Sequence, residues 1–185
     1  MKKKAIEQCT FELLSAIGED PRREGLKGTP QRVAELYGEL FEGLNQDPLA
    51  SLVTSFSEGY ADPVILRDIP FYSTCEHHLL PFFGVAHIGY IPKGRVIGAS
   101  KLVRVLEILA RRPQIQERLT NQVADVLFSG LESDGVAVAI KAEHLCMTIR
   151  GVHKPGIKIE TSVTRGPFET NEYSAKEFLK LLYKN

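Results

Sequence analysis

The chain has no net charge: 23 Lys and Arg balance 23 Asp and Glu. General nucleic-acid and membrane-surface binders usually carry a basic excess, so the balance argues against both classes. There is no apolar run long enough to cross a bilayer. Met1-Lys2-Lys3-Lys4 looks like the basic start of a secretory signal, but Glu7, Gln8 and Glu12 interrupt the next stretch, so no apolar segment forms. Cysteine is sparse, and three is an odd number that makes a poor disulfide framework. A reducing, cytoplasmic setting is expected. Internal repeats and low-complexity segments are also missing. What remains is ordinary: 185 residues, 43% hydrophobic and 25% charged, the size of one soluble domain with room for a small extra lobe.

Ile6, Cys9, Leu13 and Ile17 fall at helical spacing over residues 4–17, with Gly18 as a stop and Cys9 expected in the core. Residues 18–29 read as a loop. Thr29-Pro30 supplies a cap and a first-turn proline for a second helix, whose stripe is Val33, Leu36, Tyr37, Leu40 and Phe41. These helices predict an N-terminal lobe over residues 1–58. Residues 59–185 have another rhythm. Runs at 63–68 and 82–91 read as strands, and Arg95–Gly98 continues the sheet after the Pro92-Lys93-Gly94 turn. Ser100 can cap a helix carrying Leu102, Val105, Leu106 and Leu109, which Pro113 breaks. A further helix carries Ile115, Leu119, Val123 and Leu127. Strands come next at Val136–Ala142 and Ile157–Val163. A last helix opens with Ser174 and Glu177 as a capping box and buries Phe178, Leu181 and Leu182. Strands, two helices, then strands predict an α+β domain. Two helices cover one face of an antiparallel sheet, so the other must be solvated or buried against another copy.

The chemistry concentrates in two segments. In Ser73-Thr74-Cys75-Glu76-His77-His78, Cys75 and His78 are spaced to reach one metal ion. Glu143-His144-Leu145-Cys146-Met147-Thr148-Ile149-Arg150-Gly151 places a second cysteine beside a histidine. Zinc takes thiolate and imidazole ligands tetrahedrally, and a Cys2His set leaves one position open for water, the mark of a catalytic site. The alternatives are two buried thiols or a disulfide between Cys75 and Cys146. Two polar Cys/His segments near strand ends favour metal. His77 and His144 are then left as proton carriers near neutral pH. His87, inside a strand, and His153, before a turn, read as structural.

Four segments together, Cys75–His78, Gly98–Arg104, Arg112–Thr120 and His144–Gly151, closely resemble GTP cyclohydrolase I. Thr29-Pro30-Gln31-Arg32-Val33-Ala34 resembles that family's N-terminal helix signature, and the resemblance spans nearly the whole chain. It implies the tunnelling fold (T-fold): an antiparallel four-stranded sheet with two helices on one face, preceded by the helical lobe. It implies Cys75, His78 and Cys146 as zinc ligands, and His144, His77 and Ser100 as catalytic residues. Glu117 is implied as the carboxylate that accepts guanine N1–H and N2–H, with Gln116 as a further base contact. Lys101, Arg104, Arg150 and, more weakly, Arg32 are implied around the triphosphate. Glu35 stands where the family pattern leads one to expect a lysine, which weakens the N-terminal helix's share in phosphate binding.

The implied reaction converts GTP and water to 7,8-dihydroneopterin triphosphate and formate by zinc-activated attack on C8 of guanine, the first step of tetrahydrofolate and pterin biosynthesis. No redox cofactor is needed. The implied assembly is a homodecamer of two five-membered rings with active sites at subunit interfaces. A related purine or pterin enzyme of the same fold, and a non-catalytic zinc- or nucleotide-binding module, are the competing classes.

Overall fold

A computed structural model describes residues 1–52, 55–131, 133–167 and 172–183. The chain divides into two compact units, Met1–Glu42 and Gly43–Asn185. Residues 43–58, assigned to the lobe from sequence, group with the second unit. Among the described residues no helix is long and apolar enough to cross a membrane.

In the first unit α1 (Lys3–Ala16) packs on α2 (Thr29–Leu40). The stripe read on α1 is not its buried face: Cys9 is exposed, and Leu13 and Ile17 are 61% and 70% exposed. The expectation of Cys9 in the core is therefore corrected. The buried residue is Thr10, about 100° further round the helix. Its hydroxyl is satisfied by donating to the Ile6 carbonyl at 2.8 Å. Helix α2 has Gly28 at its N-cap, with Pro30 in the first turn and Thr29 already inside. Glu35 accepts from the Gln31 amide at 2.9 Å along the same helix.

The second unit is a mixed α+β structure, as the element order predicts. A five-stranded sheet runs in the order β5 (Pro113–Gln114), β2 (Val64–Cys75), β3 (Pro81–Ile91), β6 (Gly135–His144), β7 (Ile159–Arg165). All pairs are antiparallel except the two-residue β5, which joins β2 in parallel. Residues Arg95–Ile97 (β4) do not extend this sheet. They form a separate ribbon with Ser55–Ser57 (β1), tied by the Arg95 guanidinium to the Ser55 hydroxyl at 2.8 Å.

Helices α3 (Ala99–Ala110) and α4 (Gln116–Leu131) cover one face. Their buried residues Leu102, Val105, Leu106, Leu109, Leu119, Val123 and Leu127 are the apolar positions that period 3.6 selects. Gly98, not Ser100, is the N-cap of α3, and Ser100 lies exposed in the first turn. The other face is not left bare. Helix α6 (Glu172–Tyr183) sets Phe178 and Leu182 against Ala137 and Ala139. Gly89 lets it approach, since a Cβ there would stand 3.0 Å from Leu182 and 3.1 Å from Phe178. The side chains of Ser174, half of the capping pair read with Glu177, and of Leu181, expected to be buried, lie outside the described set, while Glu177 is exposed and accepts from the Lys180 ammonium at 2.6 Å. With helices on both faces, β6 is buried nearly end to end, which explains its continuous Val-Ala-Val-Ala-Ile run.

Strand β3 leaves no room for a side chain at Gly84, where a Cβ would collide with the Lys141 carbonyl oxygen and fall 2.7 Å from the Ala142 Cα of β6. Both obstacles are backbone. Gly84→Ala is expected to destabilise the second unit by ~1–3 kcal/mol, read as a lower urea midpoint at unchanged slope. An unchanged midpoint would show that the strands yield.

Candidate active site

Cys75 ends β2 and opens a tight hairpin into β3. Its N–H donates to the Leu80 carbonyl at 2.9 Å, and its carbonyl accepts from the Leu79 N–H at 2.8 Å. Leu79 closes the turn in the left-handed region at φ 52°. The turn carries His77 and His78 outward and returns the His78 Nδ1 to 4.0 Å from the Cys75 Sγ. Cys146 arrives from β6, which ends at His144 and turns into the four-residue helix α5 (Leu145–Thr148). The ladder pairs Phe82 of β3 with both Ser73 and His144, so the two segments end side by side.

The ligand atoms of Cys75, His78 and Cys146 all lie within 4.8 Å of one another. A tetrahedral zinc, with bonds of about 2.3 Å to sulfur and 2.0 Å to nitrogen, places its ligand atoms roughly 3.5–3.8 Å apart. The cluster fits such an ion with a small contraction. Two sulfurs and one imidazole are also the donors zinc prefers, one short of a full shell. Both cysteines are free, so the disulfide alternative is not what the structure has. Burial, then the neighbouring Cys75, push the Cys146 thiol above its ordinary value, while Arg150 pulls it down. Two sulfurs this close could ionise together only with a cation between them.

His144 is buried, its ring stacked on Phe82 with centroids 4.6 Å apart and planes 5° from parallel. Its Nε2 lies 2.8 Å from the Gln116 Oε1. Burial lowers its pKa below the usual imidazole value, against an opposing pull from the Glu117 carboxylate. Gln116, read from sequence as a base contact, is 1% exposed, with its amide engaged in the interior. Glu117 is the next residue of α4 and is exposed.

Three side chains not read from the sequence hold these parts. Arg118 grips Glu76 with both terminal nitrogens and ties the metal turn to the helix that bears Glu117. The Arg118 hydrogen bonds hold the Glu76 carboxyl below its ordinary value. Glu143 Oε1 accepts from the Thr148 hydroxyl at 3.2 Å and from the Gly156 N–H at 3.1 Å, pinning the segment after Cys146. Each charge sits inside or beside a segment already singled out, but nothing in the residue pattern names its partner.

The remaining candidates are not drawn into the cluster. His77 is exposed, its Nε2 3.8 Å from the Glu76 Oε1. Arg150 is exposed, yet close enough to Cys146 to act on its thiol. Helix α3 ends near the cluster, where the Ser73 hydroxyl donates to the Ala110 carbonyl at 2.7 Å. It starts at the other end of the sheet, where the Ile97 N–H donates to the Tyr90 hydroxyl at 3.1 Å. Tyr90 and Phe82 are roughly 26 Å apart at the rise of an extended strand. Ser100, Lys101 and Arg104 lie in the first half of α3, toward the Tyr90 end. Arg32 belongs to the N-terminal unit, where it donates to the Thr29 hydroxyl at 3.0 Å.

A family model described as GTP cyclohydrolase I matches residues 6–183. The chain belongs to the GTP cyclohydrolase I family. Among its curated relatives, the GTP cyclohydrolase 1 of Dehalococcoides mccartyi is 58% identical over 180 residues, covering 96% of this chain and 95% of the relative. That of Halalkalibacterium halodurans is 55% identical over 178 residues, covering 96% and 95%. That of Streptococcus suis is 51% identical over 183 residues, covering 98% of each. Membership in the GTP cyclohydrolase I family makes the chain an enzyme of that type.

Replacing any one of Cys75, His78 and Cys146 by alanine is expected to abolish stoichiometric metal binding, measured by elemental analysis of purified protein. Full metal content in Cys146→Ala would remove Cys146 from the ligand set.

Proposed function

We propose that this site converts GTP and water to 7,8-dihydroneopterin triphosphate and formate, with Cys75, His78 and Cys146 holding a zinc ion. The observation that carries the reading is the open three-donor cluster beside a buried, hydrogen-bonded His144, in a chain the family model matches almost throughout. Zinc held there supplies Lewis acidity and lowers the pKa of a bound water toward neutrality.

The chain's own residues do the rest. His144, whose pKa is lowered by burial, takes up the proton released as water adds to C8 and delivers it to N7 of the guanine. Glu117, exposed in the first turn of α4, accepts guanine N1–H and N2–H with its two oxygens. Adenine lacks that donor pair, so the contact selects against ATP. Arg150, close enough to Cys146 to act on its thiol, is the cation for the phosphate end. His77, exposed beside the cluster, handles protons in the later ring-opening and closing steps, and Ser100, exposed at the far end of α3, does so only at the cluster of a neighbouring copy.

Formate release from GTP, with a product that fluoresces as a pterin after oxidation, tests the assignment. Absence of both with zinc-loaded protein overturns it. Glu117→Ala is expected to weaken GTP binding by ~1.5–3 kcal/mol, about 10- to 150-fold. Unchanged affinity would show that Glu117 does not read the base.

The tunnelling fold and its closed assembly belong to the same reading. The sheet has β7 at one edge and the two-residue β5 at the other, and unpaired edges invite strands from other copies. Closing identical subunits into a ring removes such edges, and a decamer of two five-membered rings is the form proposed. Lys101 and Arg104 stand toward the end of the sheet remote from their own Cys/His cluster. In a ring they serve the triphosphate bound at a neighbour's cluster. Mixing inactive Cys146→Ala chains with inactive Lys101→Ala chains and reassembling them is then expected to restore part of the activity. No recovery in assembled hybrids would place the whole site within one chain.

A further inference from the structure

Gln116 has a commitment that a base contact would not need. It opens α4 on the same face as Leu119, Thr120 and Val123, yet it is among the most deeply buried side chains in the protein. Its Nε2 meets the Ile140 carbonyl at 3.1 Å, the Ile159 carbonyl at 3.0 Å and the Thr161 hydroxyl at 3.1 Å. Those acceptors come from β6 and β7, so one amide spans two strands. A rotated amide would press its oxygen against two carbonyl oxygens, so the amide orientation is decided by its surroundings.

The neighbouring hydroxyls are consistent with this. Thr120 donates to the Gln116 carbonyl at 2.7 Å and stands 2.7 Å from the Thr161 hydroxyl. Thr161 then gives its proton to Thr120 and keeps a lone pair for the Gln116 amide. With Nε2 occupied on the strands, the Gln116 Oε1 is left aimed at the His144 Nε2, 2.8 Å away. An amide oxygen only accepts, so that ring nitrogen must carry the hydrogen. Stacking on Phe82 restrains the ring from the side.

We propose that Gln116 is a positioning residue that acts through His144: its amide fixes the ring's orientation and tautomer, with hydrogen on Nε2, and leaves Nδ1 as the nitrogen that serves the substrate. The inference rests on the reading of His144 as the proton carrier in GTP turnover. It replaces the sequence expectation of a direct base contact with a role at one remove. The direct base contact is left to Glu117.

The test compares zinc-loaded wild type with Gln116→Leu, Gln116→Asn, His144→Ala and the His144→Ala/Gln116→Leu double variant. Each is measured for kcat, KM for GTP, bound zinc and urea midpoint. Gln116→Leu removes the acceptor. Gln116→Asn keeps an amide in the cavity but draws it back by one methylene. Both are expected to keep zinc and to hold KM within about threefold, while kcat falls about 10- to 100-fold, the scale of a misplaced catalytic group. In the His144→Ala background the Gln116→Leu change is expected to cost nothing further in kcat. A raised KM at full kcat would make Gln116 a substrate contact and overturn the proposal. So would full kcat in both single variants, or a further loss in the double variant equal to that in the single. Failure of both single variants to fold would make Gln116 a structural brace, which also overturns it. A wild-type protein that releases no formate from GTP would instead sink the functional reading, a result that the other four proteins do not affect.

Discussion

The antiparallel register of β3 on β6 sets the positions of almost everything chemical. Phe82 stands opposite His144, and the pairing runs without a break to Ile91 opposite Gly135. That register brings the hairpin after β2 and the turn after β6 to one end of the sheet. The strand alternates faces at every residue, so a slip by one would send His144 to the face covered by α6 and carry Cys146 away from Cys75. The close approach at Gly84 and the packing of both faces of β6 oppose such a slip. The site is therefore specified by sheet packing well away from any ligand.

Around the site the interior is polar in a particular way. Ser73, Gln116, Thr120, Thr161 and His144 lie on the helix-covered face or at its edge, and each finds a partner within the chain. An unpartnered buried polar group costs about 1–3 kcal/mol, so these residues are tolerable only as a connected set. Gln114 is the near exception. Its Nε2 is bonded to the Leu109 carbonyl and to Gln122, but its Oε1 is buried without a partner. Its backbone still works for the site, since the Gln114 carbonyl accepts from the Glu76 N–H at 3.0 Å and helps hold the metal turn.

The parts legible in the sequence are those in which residue type alone restricts the physics. Thiols and imidazoles are few, and the Cys75, His78 and Cys146 set stands out without any knowledge of the fold. Period 3.6 locates α3 and α4, because a covered helix must repeat its apolar face. Long-range choices are not legible. Nothing local says that α6 returns to the second face of the sheet, or that Arg95–Ile97 leaves the sheet to pair with Ser55–Ser57. The apolar spacing of α1 suggests a buried Cys9, yet the face that packs includes Thr10, whose hydroxyl is satisfied within the helix. Gln116 reads as a solvated helix start or a base contact. Its place on the face of Leu119, Thr120 and Val123 is the available sign of burial, and its strand partners lie far along the chain.

The donors at the cluster come from two segments with α3 and α4 between them. An ion bound there is also a cross-link, closing a long loop that contains the whole helical layer. The Glu143 clamp on Thr148 and Gly156 has already ordered the segment beside one of its anchor points, so closing the loop freezes little additional chain there. Metal occupancy thus belongs to the mechanical integrity of the hairpin and of β6 as much as to the chemistry. A chelator would act on this molecule as a solvent does on a glued joint, loosening two strands of the sheet at their ends.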